Sequence, residues 1–80
     1  MFTSILTTNY NYDEEEDILY ISIGDPKPSI TKEIDEGILI RHDIKTKKIT
    51  GVTILDYKDR INKNEKINIP KIFDLSKVKI

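Results

Sequence analysis

The sequence predicts a mainly β domain: a five-stranded antiparallel meander with a short C-terminal helix packed on one face, which would make the class α+β. Three observations lead there. Between Tyr12 and Asp56, apolar residues recur at every second position in short runs, the period of a strand with one buried face. Turn-forming residues separate those runs, at positions 13–17, 24–28, 35–37 and 43–48, where Gly, Pro and Asp are concentrated. After Tyr57 the alternation lapses through a polar stretch, residues 58–66, and apolar residues return at mixed spacing from Ile67 to the end.

The first strand is expected over about residues 7–12, with an earlier start at Phe2 or Leu6 left open, and with Tyr10 and Tyr12 on one face. The acidic run 13–17 is the polar turn of a hairpin. In the second strand Leu19, Ile21 and Ile23 form the inward side, and Ile18, Tyr20 and Ser22 the other. Gly24, Asp25, Pro26 and Pro28 end it, because proline lacks the ladder donor and fixes its own φ. Residues 29–34 place Ile30, Lys32 and Ile34 on one face and Thr31 and Glu33 on the other, an edge strand blunted by charge.

After Asp35 and Glu36, Gly37 supplies the positive φ that a tight hairpin loop requires. Ile38, Leu39 and Ile40 are consecutive, so the fourth strand is apolar on both faces and the second face needs cover. The fifth strand spans residues 49–55, where Gly51 marks a bulge or lets another backbone approach. Two readings of the tail stand side by side. Pro70 suits the first turn of a helix, with Ile69, Ile72 and Phe73 at helical spacing, while Val78 and Ile80 alternate with lysines as in a strand. The expectation is a short helix near residues 70–77, lying across the second face and covering Tyr20, Leu39 and Leu55, with a second subunit as the other source of cover.

Eighty residues make room for one domain, residues 1–80, and a chain of this size buries only about 60 to 65 % of its unfolded surface. There is no cysteine, which removes disulfides, thiolate nucleophiles and the common structural zinc sites and fits a reducing compartment. Ile5 and Leu6 stand among threonines, with no basic run before them and no apolar stretch long enough for a signal peptide or a membrane span. A soluble cytoplasmic protein with no membrane partner is expected.

The run Tyr12-Asp13-x-Glu15-x-Asp17-x-Leu19-Tyr20-Ile21, followed by Glu33-Ile34-Asp35-Glu36-Gly37-Ile38 and by Gly51-Val52-Thr53-Ile54-Leu55-Asp56, resembles the family catalogued as domain of unknown function 2283, small prokaryotic proteins. The resemblance covers roughly residues 10–57, leaving residues 67–80 as a separate packing segment. It implies a β-rich fold and brings no catalytic residue with it. The occurrence of relatives beside small toxin-like proteins implies an antitoxin-like or other binding role. This chain departs from the family pattern at Arg41, at residues 44–48, and beyond Tyr57.

Residue chemistry yields no active site. Asp13, Glu14, Glu15, Glu16 and Asp17 lack the alternating ligands and the glycine of a calcium loop, so no metal is expected. His42 is the only histidine, and its neighbour Asp43 points to the opposite side of a strand, where it cannot orient the imidazole. Ser4, Ser22, Ser29 and Ser76 lack the flanking glycines of a nucleophile elbow. Gly24, Gly37 and Gly51 are isolated, which excludes a phosphate cradle. No enzyme, cofactor or small-molecule substrate is therefore expected.

What remains is binding. Residues 1–40 hold two basic and nine acidic side chains, net −7, and residues 41–80 hold eleven and five, net +6, summing to the chain's −1. Such a split bears on partners more than on fold. The first expectation is a non-catalytic module that binds another protein, or itself as a homodimer, through a surface containing Tyr20, Leu39, Leu55 and Tyr57. The alternative is a weak nucleic-acid binder using a basic patch of Lys45, Lys47, Lys48, Lys58 and Arg60.

Overall fold

The alternating runs become five strands in the computed structural model, which describes residues 7–25 and 27–78. β1 (Thr8–Asp13), β2 (Ile18–Ile23), β3 (Ser29–Asp35), β4 (Ile38–Asp43) and β5 (Ile49–Leu55) form one sheet in the order β1-β2-β5-β4-β3. Every pairing is antiparallel, so the fold is the mainly β, meander-like sheet that the sequence predicts. An earlier start of β1 at Phe2 or Leu6, and the strand-like reading of Ile80, lie outside the described residues.

Within that order β1 with β2, and β3 with β4 and β5, are sequential hairpins, and the pairing of β2 with β5 joins the two groups. The connection after Ile23 therefore carries the chain past β5 and β4 to the far edge, about 14 Å at ordinary strand spacing. Burial explains the arrangement. β3, with Thr31, Lys32 and Glu33 all exposed, suits an edge, whereas β2, β4 and β5 supply Leu19, Ile21, Ile38, Ile40, Val52 and Ile54, all buried. Ile34 is an extra residue opposite β4, a bulge that further blunts the β3 edge.

Leu19 and Ile54 stand opposite each other, as do Ile21 and Val52, Ile40 and Val52, and Ile38 and Ile54. These pairs form the floor of the core on one face of the sheet. The tail closes that same face: Tyr57 and Phe73 are buried with the floor, and Ile67, Ile69, Leu75 and Val78 pack against it. This corrects the expected placement over Tyr20, Leu39 and Leu55. The face with the larger continuous apolar surface takes the cover, because burying it removes more surface from water.

The helix is also displaced from its expected position. The short helix is α1 (Tyr57–Asn62), immediately after β5, and the segment expected to be helical contains only a 3₁₀ turn, Leu75–Lys77. Pro70 instead serves a turn, its carbonyl accepting from the Phe73 amide at 3.1 Å.

Two glycines do different work. Gly37 adopts φ 76°, as the β3–β4 turn requires, and the Arg60 guanidinium occupies the space where a Cβ would project. Gly51 has no such backbone demand. It leaves room for the guanidinium of Arg41 laid across it, and the extra residue Thr50 beside it shifts the β4–β5 register.

Candidate interaction face

The face opposite the core is built in rows of side chains that the strand register sets across the sheet. Asp13, Ile18 and Leu55 stand opposite one another in the first row. The second row crosses all five strands as Asn11, Tyr20, Thr53, Leu39 and Glu33. The third is Asn9, Ser22, Gly51, Arg41 and Thr31. Ile18, Leu39, Thr53 and Leu55 are half-buried and Tyr20 is 41 % exposed. Tyr57 of α1, Leu75 of the 3₁₀ turn and Ile67, Ile69, Phe73 and Val78 of the tail all pack with the core, on the side away from these rows.

Of the surface residues read from the sequence, Tyr20, Leu39 and Leu55 therefore share this face. Tyr57 does not: it is 2 % exposed, within the core, and its ring stands 5.9 Å from that of Tyr12. Burial pushes the Tyr57 hydroxyl pKa up. The alternation rule placed residues within strands, and Tyr57 lies past the end of one.

Two acidic turns stand at one end of the sheet, the end that also carries α1 with Lys58 and Arg60, while Asp25 and Asp43 lie at the other. The β1–β2 turn carries Glu14, Glu15 and Glu16, and at the β3–β4 turn Asp35 ends β3 and Glu36 follows it. Asp17, counted as part of a solvated acidic run, has a specific task there. The Tyr12 hydroxyl donates to its Oδ1 at 2.6 Å, and the Lys58 and Asp59 amides donate to its two oxygens at 2.8 and 3.2 Å. Asp17 thus caps α1 from 41 residues upstream, while Asp56 at the helix start makes no side-chain cap. The Tyr12 hydroxyl and the two amides hold the Asp17 carboxyl below its usual range, and Asp17 in turn pushes the Tyr12 pKa up to about 12.

The basic residues do not form one patch. Lys45, Lys47 and Lys48 lie in the β4–β5 turn, and Lys58 and Arg60 in α1, at opposite ends of β5, a separation of about 20 Å by strand rise. Arg60 is committed to structure, donating from Nε to the Leu55 carbonyl at 2.7 Å and from Nη2 to the Glu36 carbonyl at 2.6 Å. Asp43 spends its carboxylate on the turn, accepting from the Lys45 and Thr46 amides at 2.7 and 3.3 Å. His42 stands opposite Ile30 and Asp43 opposite Ser29, so the two neighbours face opposite ways as strand geometry predicts.

Among the described residues, no three side chains of His, Asp or Glu are placed to hold a metal ion together, and no helix is long and apolar enough to cross a membrane. The residue that sequence reasoning missed is Arg41. Its signal was present in the pairing of a long cation with a glycine on the neighbouring strand, and it becomes visible only once the register is known.

No curated protein and no solved structure matches the chain. The family model described as "Protein of unknown function (DUF2283)" matches residues 9–58, from the second residue of β1 to the second residue of α1, and so nearly the whole sheet. With more than half of its length matched, the chain belongs to that family.

Proposed function

We propose that this chain is a non-catalytic binding module that docks a basic protein on the uncovered face of its sheet. The observation that carries this reading is the stripe of Ile18, Tyr20, Thr53, Leu39 and Leu55 across the three central strands, bounded by Asp13 on β1 and Glu33 on β3. An apolar centre with a charged rim is the anatomy of a protein interface. The acidic turns beside it steer a partner of opposite sign. An antitoxin-like role, with a basic toxin as partner, is one form of this reading, and the cysteine-free chain fits work in the reducing cytoplasm.

The nucleic-acid reading draws no support from the arrangement, since its five cations are divided between two ends and Arg60 is already engaged.

The test is comparative capture from the native cells with two baits, the wild-type chain and Tyr20→Arg. The expected result is a defined protein of net positive charge, held by the wild type, partly released by salt, and lost from the variant at unchanged melting temperature. Equal retention on both baits, or retention of nucleic acid alone, overturns the reading. Light scattering of the free chain separates off self-association: a dimer broken by Tyr20→Arg makes a second copy the occupant.

A further inference from the structure

The third row of the uncovered face, which the docking reading does not use, holds a guanidinium with few commitments. Arg41 lies across Gly51, and its Nη2 donates to the Ile21 carbonyl at 3.1 Å. Its Nε is buried and has no hydrogen-bond partner. A guanidinium carries five N–H donors, and among the described residues the bond to Ile21 is the one it makes to protein. Glycine at position 51 answers a demand for space, so the strand has given up a side chain to seat this cation.

Beside it opens a cavity of about 480 Å³ whose polar lining is Asn9, Ser22, Asp25, Lys27, Ser29, Arg41 and Thr50. Two of these groups are already matched to each other. Ser29 Oγ donates to the Lys27 carbonyl at 2.9 Å, so in its 2.8 Å contact with Thr50 the donor is Thr50 Oγ1. The donors left for a guest are the Arg41 guanidinium, the Lys27 ammonium, the Ser22 hydroxyl and the Asn9 amide. Among the lining residues two cations, Arg41 and Lys27, stand against the one carboxylate of Asp25, while the Asp43 carboxylate lies within charge range of Lys27 from the neighbouring turn.

We propose that this cavity binds a small oxyanion, a carboxylate or phosphate group, with Arg41 as its principal contact and Lys27, Ser22 and Asn9 as supporting donors. The fork geometry of a guanidinium matches both groups. Arg41 is held in place by the Gly51 floor and the Ile21 carbonyl before any guest arrives, so little side-chain freedom is lost on binding. The inference is independent of the protein-docking reading, since it concerns a different row and a ligand of opposite sign.

The experiment is an NMR titration of the full chain with sodium acetate and, separately, sodium phosphate, against sodium chloride at matched ionic strength. It follows the Ser22, Thr50 and Gly51 amides and the Arg41 Nε–H. The expected result is saturable shifts at these positions, with affinity on the order of millimolar and about tenfold or more above chloride. That response should be lost in Arg41→Gln and weakened several-fold in Lys27→Gln. Tighter binding of acetate assigns the site to carboxylates, and tighter binding of phosphate assigns it to phosphate. Linear, chloride-like shifts overturn the proposal, as does saturation unchanged in Arg41→Gln. Should Arg41→Gln fail to fold, unchanged affinity in Lys27→Gln, whose side chain is exposed on the connecting loop, overturns it equally.

Discussion

The two faces of this sheet come from the same strands and the same alternation, yet they have opposite fates. On one, Leu19, Ile21, Ile38, Ile40, Val52 and Ile54 lie beneath Tyr57 and Phe73 with at most a few per cent of their surface exposed. On the other, Ile18, Leu39 and Leu55 stay half-buried and Tyr20 stays exposed. Both have apolar side chains at their centres. The difference is that one face is apolar from β2 to β4 without a break, whereas the other alternates Tyr, Thr and Leu with Ser, Gly and Arg along its strands. A single short tail covers one face, and the hydrophobic effect favours the continuous one.

Substitution across the two faces should measure that contrast. The largest effect is expected at the core floor: Ile54→Ala should lower stability by about 3 to 4 kcal/mol, the range for removing a fully buried aliphatic side chain. Phe73→Ala should follow at about 2 to 3 kcal/mol, less than a rigid core would lose, because a tail can shift to close the gap. Denaturant melts that ranked Tyr20→Ala above either would reverse the assignment of faces.

A smaller effect should appear at Gly51. Gly51→Ala places a methyl group where the Arg41 guanidinium lies and should cost about 1 to 2 kcal/mol through overpacking. In an Arg41→Ala background the same change should be nearly neutral. A double-mutant cycle showing no coupling would mean that the glycine serves the backbone rather than the arginine.

Asp17→Asn keeps the left-handed conformation observed at φ 56°, which asparagine tolerates, but it removes the charge and turns one of the two accepting oxygens into an NH2 donor, so at least one of the bonds from Tyr12, Lys58 and Asp59 is lost. Losing a helix cap of this kind should cost about 1 kcal/mol at neutral pH. The sign with pH follows from the depressed carboxyl: its contribution is full above the ordinary Asp value of 3.8 and is lost as pH falls through the lower folded value. The gap between wild type and variant should therefore close in acid. Ultraviolet titration should also find Tyr12 ionising near pH 12 in the wild type and nearer its ordinary value of 10 in the variant.

At the bottom of the scale, Tyr20→Ala should change stability by less than about 1 kcal/mol and Glu15→Ala by almost nothing, as expected of exposed side chains. A loss of several kcal/mol at Tyr20 in thermal melts would mean that this face is covered after all.

Much of the sheet was legible in advance because strand periodicity is a local property. Leu19, Ile21 and Ile23 declare one face of β2 without reference to any other strand, and Gly37 announces a turn by its own chemistry. α1 was hidden for the opposite reason. Its start is capped by the side chain of Asp17, far upstream, while the local cap-type residue, Asp56, makes no side-chain cap bond; the other local signs are Tyr57 and Ile61 at helical spacing and the ion pair of Asp59 with Lys63 at 3.0 Å. The proline that resembled a helix start, Pro70, begins a turn instead. The candidate surface was legible in Tyr20, Leu39 and Leu55, which obey alternation, and misread at Tyr57, which lies outside it.

By itself the chain's order of residues determined five strands, their turns and the membership of each face, since these depend on side-chain direction and backbone preference within a few neighbours. Tertiary structure alone decided that β2 pairs with β5, that the tail closes the isoleucine floor, that Asp17 caps a distant helix and that Arg41 rests over Gly51. Each of these joins segments that are remote in sequence, and such contacts are fixed by competition among whole surfaces for burial and hydrogen bonds, a quantity that no local window of residues contains.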